Sequence, residues 1–161
     1  MISLYNLFNF FRMANNVTID IITDGNLLTD NDLNDLVHVL EQLTNVTADN
    51  FDIQNVRRYI DNMNKKYLLV VRCDDVIVGT GSILIEDKII HNFGKVGHIE
   101  DVVIDNKYRG QGLAKQLVEY LIRIGREAGC YKIILDASTD VSSFYEKLGF
   151  RKHANNMRLD L

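Results

Sequence analysis

The sequence predicts a single α/β domain in which helices pack on a mixed β-sheet. The chain has 161 residues, enough to bury one substantial hydrophobic core. Its apolar content of 47% and charged content of 25% are close to those of an average globular protein. Apolar residues recur with a period of two in some segments and at three- and four-residue steps in others. The chain therefore contains both strands and helices.

The first half of the chain predicts a strand, two helices and two further strands. Val17, Ile19 and Ile21 alternate with polar residues, which indicates a half-buried strand. After a turn at residues 24–26, Thr29 or Asp30 can cap a helix. The apolar stripe of this helix comprises Leu33, Leu36, Val37, Leu40 and Leu43. A weaker stripe predicts a second helix over residues 49–63, and strands follow over residues 67–73 and 76–86.

The second half predicts a strand over residues 98–104 and a polar turn over 105–107. A strong amphipathic helix then presents Leu113, Leu117, Leu121 and Ala128 on one face and ends at Gly129. Residues 131–136 are nearly all apolar, which predicts a strand covered on both faces. A short helix over 142–148 and a last strand from Phe150 complete the order β, α, α, β, β, β, α, β, α, β.

Composition and spacing exclude several other classes of protein. The sequence contains no proline, linker or internal repeat, so we expect one domain over residues 13–161, preceded by an apolar N-terminal extension over residues 1–12. That extension lacks signal-peptide features and is shorter than the roughly 20 residues that cross a bilayer. A net charge of −4 without a basic block argues against nucleic acid as a partner, and no membrane association is expected.

The cysteines and histidines show no metal-site spacing. Cys73 and Cys130 lie far apart in the sequence, which favours neither a zinc site nor a disulfide framework and fits a cytoplasmic location. His91 and His98 have no third partner at metal spacing, so ordinary hydrogen bonds are the simpler interpretation. No metal is expected.

The most informative segment is the string from Tyr108 to Lys115, which reads YRGQGLAK and stands between a predicted strand and a predicted helix. Glycines there let backbone N–H groups converge on one point, and the helix N-terminus adds roughly half a positive charge. These features predict a cradle for an anion, most naturally a phosphate. The string lacks the P-loop pattern and a clear dinucleotide fingerprint. A purely structural role of the glycines is the alternative.

Four strings carry a resemblance to known families. Residues 109–114 (RGQGLA) resemble the coenzyme pyrophosphate loop, (Q/R)xxGx(G/A), of the GNAT acyltransferase superfamily, whose element order is similar. Residues 97–102 (GHIEDV), 129–136 (GCYKIILD) and 144–150 (FYEKLGF) resemble the eukaryotic glucosamine 6-phosphate N-acetyltransferases. The resemblance implies a GNAT fold, acetyl-CoA as cosubstrate, and acetyl transfer to the 2-amino group of glucosamine 6-phosphate on the way to UDP-N-acetylglucosamine. It also implies a homodimer whose two chains share their active sites.

The resemblance also implies the catalytic roles. The backbone N–H of Val102 would stabilise the oxyanion. The hydroxyl of Tyr145 would assist departure of the thiolate. Glu100, Asp101 and Asp136 would orient the amine and accept its proton, and the sequence leaves open which carboxylate is the base. Their apolar surroundings predict that these carboxylates are buried and paired.

Binding residues follow from the same resemblance. Those implied for the coenzyme are Val102, Val103, Ile104, Arg109, Gly110, Gln111, Gly112, Leu113, Ala114, Lys115, Tyr145 and Lys147. Those implied for the sugar phosphate are Thr44, Lys88, His91, Glu100, Asp101, Tyr131, Lys132, Asp136 and Arg158. Arg158 is a hypothesis, because Asp160 stands where the family has an arginine and Arg158 lies on the same face of an extended strand. Val141 replaces a family asparagine, which predicts weaker coenzyme binding.

Two alternatives stay open at this level. A GNAT enzyme could act on a different amine, such as another amino sugar or a peptide N-terminus. A non-catalytic module that binds acetyl-CoA is the second alternative, against which the presence of Tyr145, Glu100 and Asp136 argues.

Overall fold

The computed structural model describes residues 16–43 and 52–160. They form a mixed sheet with helices on it, as the sequence predicts. The strands are β1 (Val17–Ile22), β2 (Lys66–Cys73), β3 (Val76–Asp87), β4 (Lys95–Ile104) and β5 (Cys130–Ile134). They lie side by side in that order, antiparallel from β1 to β4, with β5 parallel to β4. The helices are α1 (Asp30–Leu40), α2 (Ile53–Asp61), a four-residue turn α3 (Ile90–Phe93), α4 (Leu113–Glu127) and α5 (Ser142–Lys147).

Helix α1 begins at a capping box. The Thr29 hydroxyl accepts the backbone N–H of Asp32, and the Asp32 carboxylate accepts the backbone N–H of Thr29. Of the two predicted caps, Thr29 is the one that the structure uses. Arg72 of β2 forms an ion pair with the same Asp32 and another with Asp20. The start of α1 is thereby tied to the first two strands.

Two apolar layers cover the two faces of the sheet. Leu33 and Leu36 of α1 pack with Ile60 of α2 on one face. Leu117 and Leu121 of α4 pack on the other face, and both are fully buried. The predicted stripes of α1 and α4 therefore face the core, except that α1 ends at Leu40 and Leu43, beyond it, is 46% exposed. Burial of the stripe side chains is the main stabilising term.

A β-bulge distorts β4 where it runs beside β3. Ser82 pairs with Glu100 and Thr80 pairs with Val103, so Asp101 and Val102 together face the single residue Gly81. Asp101 has a left-handed backbone with φ of 55°. A bulge leaves backbone groups of the extra residue outside the ladder and re-aims them.

Strand β5 pairs with only the first part of β4. Their parallel ladder runs from the pair Lys95 and Cys130 to the pair His98 and Ile134, while β4 continues to Ile104. The carboxyl end of β4, including the bulge, is therefore not hydrogen-bonded to β5. We call this unpaired part of β4, beyond His98, the open edge.

Three predictions about the elements need correction. Among the described residues no strand follows Phe150, because an extended segment becomes a strand only when a neighbouring strand pairs with it. Strand β5 is not covered on both faces, since Tyr131 and Lys132 are exposed at the edge of the sheet. Helix α2 ends at Asp61 rather than at residue 63.

The predicted extension over residues 1–12 and the predicted start of the second helix at residue 49 lie outside the described residues. Within residues 16–43 and 52–160, no helix is both long enough and apolar enough to span a bilayer.

Candidate active site

The glycine-rich string forms an open loop directly before α4. Gly110 and Gly112 have φ angles of 78° and 79°, and a Cβ added at either would meet no atom within 4 Å. Gly112 is the N-cap of α4 and provides no side-chain capping bond. Since the first N–H groups of a helix have no partner within the helix, those of α4 open onto this unfilled space. The arrangement fits an anion such as a diphosphate.

The side chains around this loop divide into two groups. Arg109, Gln111 and Lys115 are exposed, and the Nε of Arg109 donates to the carbonyl of Ile104 at 2.9 Å. By contrast, Val103, Ile104 and Leu113 are buried in the core. These three residues can therefore meet a coenzyme through their backbone alone.

Val102 lies in the bulge, next to the candidate carboxylates Glu100 and Asp101. Its side chain faces α4, where a Cβ on Gly81 would lie 3.3 Å from Val102 Cγ2 and equally close to Leu117. Glycine at position 81 therefore allows Val102 to pack closely on the helix. The peptide N–H groups of the bulge, at the open edge of β4, are candidate donors to an oxyanion.

The three candidate carboxylates are not buried, contrary to the prediction. Glu100, Asp101 and Asp136 are all exposed. The prediction was wrong because Glu100 and Asp101 lie on the part of β4 that β5 does not cover, and Asp136 follows the end of β5. All three side chains face solvent.

Asp101 borders a cavity of about 290 Å³ that α1 and α2 form with β2 and β3. The ammonium group of Lys66 lies 3.8 Å from the Asp101 carboxylate and donates a hydrogen bond of 2.8 Å to the Tyr59 hydroxyl. Sequence reasoning missed Lys66 and Tyr59. No local signal singles them out, because the pairing of β2 with β3 and the docking of α2 bring them to the bulge.

Tyr145 is half-buried on α5. Its ring makes edge-on contacts with Phe144 and Phe150, with centroid distances of 4.9 Å and 5.9 Å. Burial raises the pKa of the Tyr145 phenol, so the hydroxyl keeps its proton at neutral pH and can donate it. Val141 occupies the N-cap position of α5 without a capping bond, and Lys147 is exposed in the last turn.

A second group of candidates lies around α3 and the start of β5. The rings of His91 and Tyr131 are 4.4 Å apart, and the Lys132 ammonium lies 5.7 Å from the Tyr131 ring. Lys88 closes the base of the β3–β4 connection by donating its backbone N–H to Gly94. We call Lys88, His91, Tyr131 and Lys132 the hairpin cluster.

Glu86 balances the charge beside the hairpin cluster. Its carboxylate lies 2.5 Å from the Lys88 ammonium and 2.8 Å from Nε2 of His98. Hydrogen bonds first from Lys88 and then from His98 lower the pKa of Glu86. Glu86 was also missed, although its two-residue spacing from Lys88 indicates a shared face of an extended segment.

The structure does not bring every candidate together. Val96 of β4 pairs with Lys132, and Glu100 lies four positions further along β4. At ~3.3 Å per residue, the hairpin cluster and the bulge are about 13 Å apart along the strand. Arg158 is 84% exposed and pairs with Asp160, 2.6 Å away, rather than with either group. Thr44 lies outside the described residues.

Comparison with solved structures supports the fold. The crystal structure of an acetyltransferase from Trypanosoma brucei matches with a TM-score of 0.78 and 37% identity, covering 90% of this chain and 99% of that one. A glucosamine-6-phosphate N-acetyltransferase from Arabidopsis thaliana matches with a TM-score of 0.73 and 35% identity, covering 89% and 98%. The predicted fold class is confirmed.

Sequence comparison identifies relatives and the family. The chain is 55% identical over 85 residues to a Trypanosoma brucei brucei protein named glucosamine 6-phosphate N-acetyltransferase, covering 53% of this chain and 58% of that relative. It is 40% identical over 126 residues to the Arabidopsis thaliana protein of the same name, covering 75% and 84%. Residues 36–150 match the model described as the acetyltransferase (GNAT) family. The loop and the bulge thus belong to an acetyltransferase fold, and the chain is a member of the GNAT family.

Proposed function

We propose that this chain transfers the acetyl group of acetyl-CoA to the 2-amino group of glucosamine 6-phosphate. The observation that carries the proposal is similarity to the Arabidopsis thaliana protein named glucosamine 6-phosphate N-acetyltransferase. The identity is 40%, and the match covers 75% of this chain. The described residues supply a cradle for the coenzyme, donors at a strand bulge and carboxylates beside it. Acetyl-CoA, when bound, supplies the electrophilic thioester.

The coenzyme diphosphate fits the loop formed by residues 109–115. Gly110 and Gly112 adopt positive φ angles, a conformation that allows the peptide N–H groups of such a loop to converge on a bound anion. The first N–H groups of α4 add the positive end of its helix dipole. Arg109 and Lys115 bring two positive charges to the rim. The absence of any atom within 4 Å of the Cβ positions of Gly110 and Gly112 leaves room for the phosphates.

The N–H of Val102 is our candidate donor for the thioester oxygen. The bulge removes this part of β4 from regular pairing with β3. A hydrogen bond in this place stabilises negative charge that develops on the oxygen when the amine attacks, and one such donor is worth about 3 kcal/mol. The side chain of Val102 takes no part.

The amine of the sugar arrives as an ammonium group and must lose a proton before it attacks. Glu100 and Asp101 stand at the bulge in β4, and Asp136 follows the end of β5, the neighbouring strand. Exposure to solvent allows the proton to leave through water. The base is one of these three groups.

The Tyr145 hydroxyl donates to the departing thiolate in this proposal. Burial against Phe144 and Phe150 keeps the phenol protonated. The attack forms the amide bond and breaks the bond between carbon and sulfur, after which the sulfur takes a proton.

We further propose a homodimer in which the hairpin cluster of one chain completes the sugar-phosphate site beside the bulge of the other. About 13 Å separates the two groups along β4 within one chain. Large apolar side chains are exposed beside His91, where Ile89 is 85% and Phe93 79% exposed, and in the C-terminal tail, where Met157 is 89% and Leu159 84% exposed. Such exposure is typical of an interface. Lys88 and Lys132 would then bind the phosphate of the sugar on the partner chain.

Thiol release from acetyl-CoA tests the reaction. We expect rapid release with glucosamine 6-phosphate and at least about tenfold lower kcat/KM with glucosamine, because the phosphate loses its cationic partners. Equal rates with both sugars, or turnover with a peptide amine alone, would contradict the proposed substrate. Coenzyme binding without turnover of any amine would favour a non-catalytic module.

Mixing two inactive variants tests the shared site. Asp101→Asn alters the bulge, and Lys132→Ala alters the hairpin cluster. If the sites are shared, half of the randomly mixed dimers contain one intact site of two, so activity recovers to about a quarter of the unaltered level. No recovery on mixing, with dimers present, would place each site within a single chain.

A further inference from the structure

The last turn of α1 touches the turn that leads into the coenzyme loop. His38 Nε2 lies 3.2 Å from Oδ2 of Asp105, and the Gln42 side-chain oxygen accepts the backbone N–H of Asn106 at 2.9 Å. His38 and Gln42 are four residues apart and therefore lie on one face of the helix end. Neither residue belongs to the glycine-rich string or to the groups proposed for catalysis.

Asp105 is held from three sides. Its backbone N–H donates to the Val78 carbonyl at 2.8 Å, and its carboxylate accepts the backbone N–H of Lys107 at 2.8 Å. The carboxylate is 8% exposed. The Lys107 hydrogen bond, together with Gln42 and His38, lowers the pKa of Asp105. A buried carboxylate requires such partners, and α1 supplies those that neither β3 nor the turn provides.

The turn held by these contacts leads straight into the loop. Residues Asn106–Tyr108 form a 3-10 turn, and Arg109 donates its side-chain Nε back to the Ile104 carbonyl. The positive-φ glycines follow at positions 110 and 112. No atom packs within 4 Å of where their side chains would be, so the loop has little packing of its own at those points. Its direction is set by the turn that precedes it.

We propose that His38 and Gln42 are positioning residues for the coenzyme: they clamp the turn 105–108 to α1 and thereby pre-organise the loop amides. The inference rests on the proposed coenzyme loop but not on the identity of the amine. Pre-organisation lowers the ordering cost that the coenzyme would otherwise meet on binding. The clamp therefore acts on coenzyme affinity rather than on the chemical step.

Four single variants test the clamp by titration calorimetry with coenzyme A. His38→Leu and Gln42→Leu remove the polar contacts, and each should weaken binding about fivefold, equivalent to about 1 kcal/mol. His38→Gln retains an N–H donor for Asp105 and should stay within about twofold of the unaltered chain. Glu41→Gln removes an exposed charge from the same turn and serves as the matched control, with no change expected.

Steady-state kinetics separates positioning from a general structural role. We expect the KM for acetyl-CoA to rise by the same factor as the dissociation constant, with kcat and the KM for the amine unchanged. His38 is 58% exposed, so its replacement removes no core packing, and the only loss of stability expected is that of the polar contact to Asp105, a fall in Tm of about 2–4 °C.

Three results would overturn the proposal, and they are distinguishable. Normal coenzyme binding by both leucine variants would refute the positioning role of His38 and Gln42 and leave the proposed function intact. Failure of the unaltered chain to bind coenzyme A would remove the proposed coenzyme loop and the clamp together. A fall in kcat alone would also contradict a positioning role.

Discussion

Replacing Gly112 with alanine separates backbone strain from coenzyme binding. Gly112 has a φ of 79°, and an added Cβ would meet no atom within 4 Å, so a steric clash contributes nothing. The left-handed conformation costs a residue with a Cβ about 1–2 kcal/mol. A stiffer unfolded chain offsets about 0.4–1 kcal/mol of this. We therefore expect Gly112→Ala to lower the free energy of unfolding by about 1 kcal/mol.

Gly129 provides a matched control at the other end of α4. Its φ is also 79°, and a Cβ there would likewise meet nothing within 4 Å. Gly129→Ala should therefore show the same loss of stability, a fall in Tm of about 2–4 °C for each variant. Gly112 alone of the two stands at the N-terminus of the helix, where relief of strain rotates peptide N–H groups away from the phosphates. Loss of one hydrogen bond to a charged phosphate costs about 1.5–3 kcal/mol of binding free energy. Coenzyme binding should therefore weaken at least about tenfold.

Denaturant unfolding and calorimetric titration with coenzyme A measure the two quantities independently. Equal weakening of coenzyme binding in both variants would show that the effect is general destabilisation. Undiminished binding by Gly112→Ala would refute the assignment of the anion cradle to this loop.

Three further changes test other parts of the structure. Tyr145→Phe keeps the ring contacts and removes the hydroxyl, so kcat should fall about 100-fold at unchanged Tm, and an unchanged kcat would exclude Tyr145 as the proton donor. Burial raises the pKa of Asp32, but hydrogen bonds led by that from Arg72 outweigh it and leave the pKa below its ordinary 3.8. The resulting stability is present above the unfolded-state pKa and lost as pH falls through the folded-state pKa. Asp32→Asn should therefore flatten the decline of Tm below about pH 4. If the Tm of the variant and that of the unaltered chain fell equally with pH, this linkage would be contradicted. Charged replacements of the exposed apolar tail residues, Met157→Asp and Leu159→Asp, should raise the monomer fraction in sedimentation, whereas an unaltered dimer would exclude the tail from the interface.

Much of the fold was predictable because its signals are local. The capping box at Thr29, the apolar stripes of α1 and α4, and the end of α4 at Gly129 each depend on residues within a few positions of one another. The coenzyme loop belongs to the same class, since a positive φ at Gly112 requires a residue without a Cβ. Such features can be read from spacing alone.

The contacts of the site were less predictable because they join distant segments. The proximity of Lys66 to Asp101 arises from strand pairing across the sheet and from the bulge in β4. The exposure of the carboxylates follows from where β5 ends, which the apolar run after Tyr131 does not reveal. The His38 contact with Asp105 joins a helix end to a turn more than sixty residues later.

The sequence by itself determined the five strands, the order of the main helices and the glycine loop, because dihedral preferences and apolar periodicity act over a few residues. The tertiary structure alone decided which polar groups meet, how far the hairpin cluster lies from the bulge, and that the tail after Phe150 has no strand partner among the described residues. These properties depend on pairing register and on where strands part, and neither is encoded in any single segment.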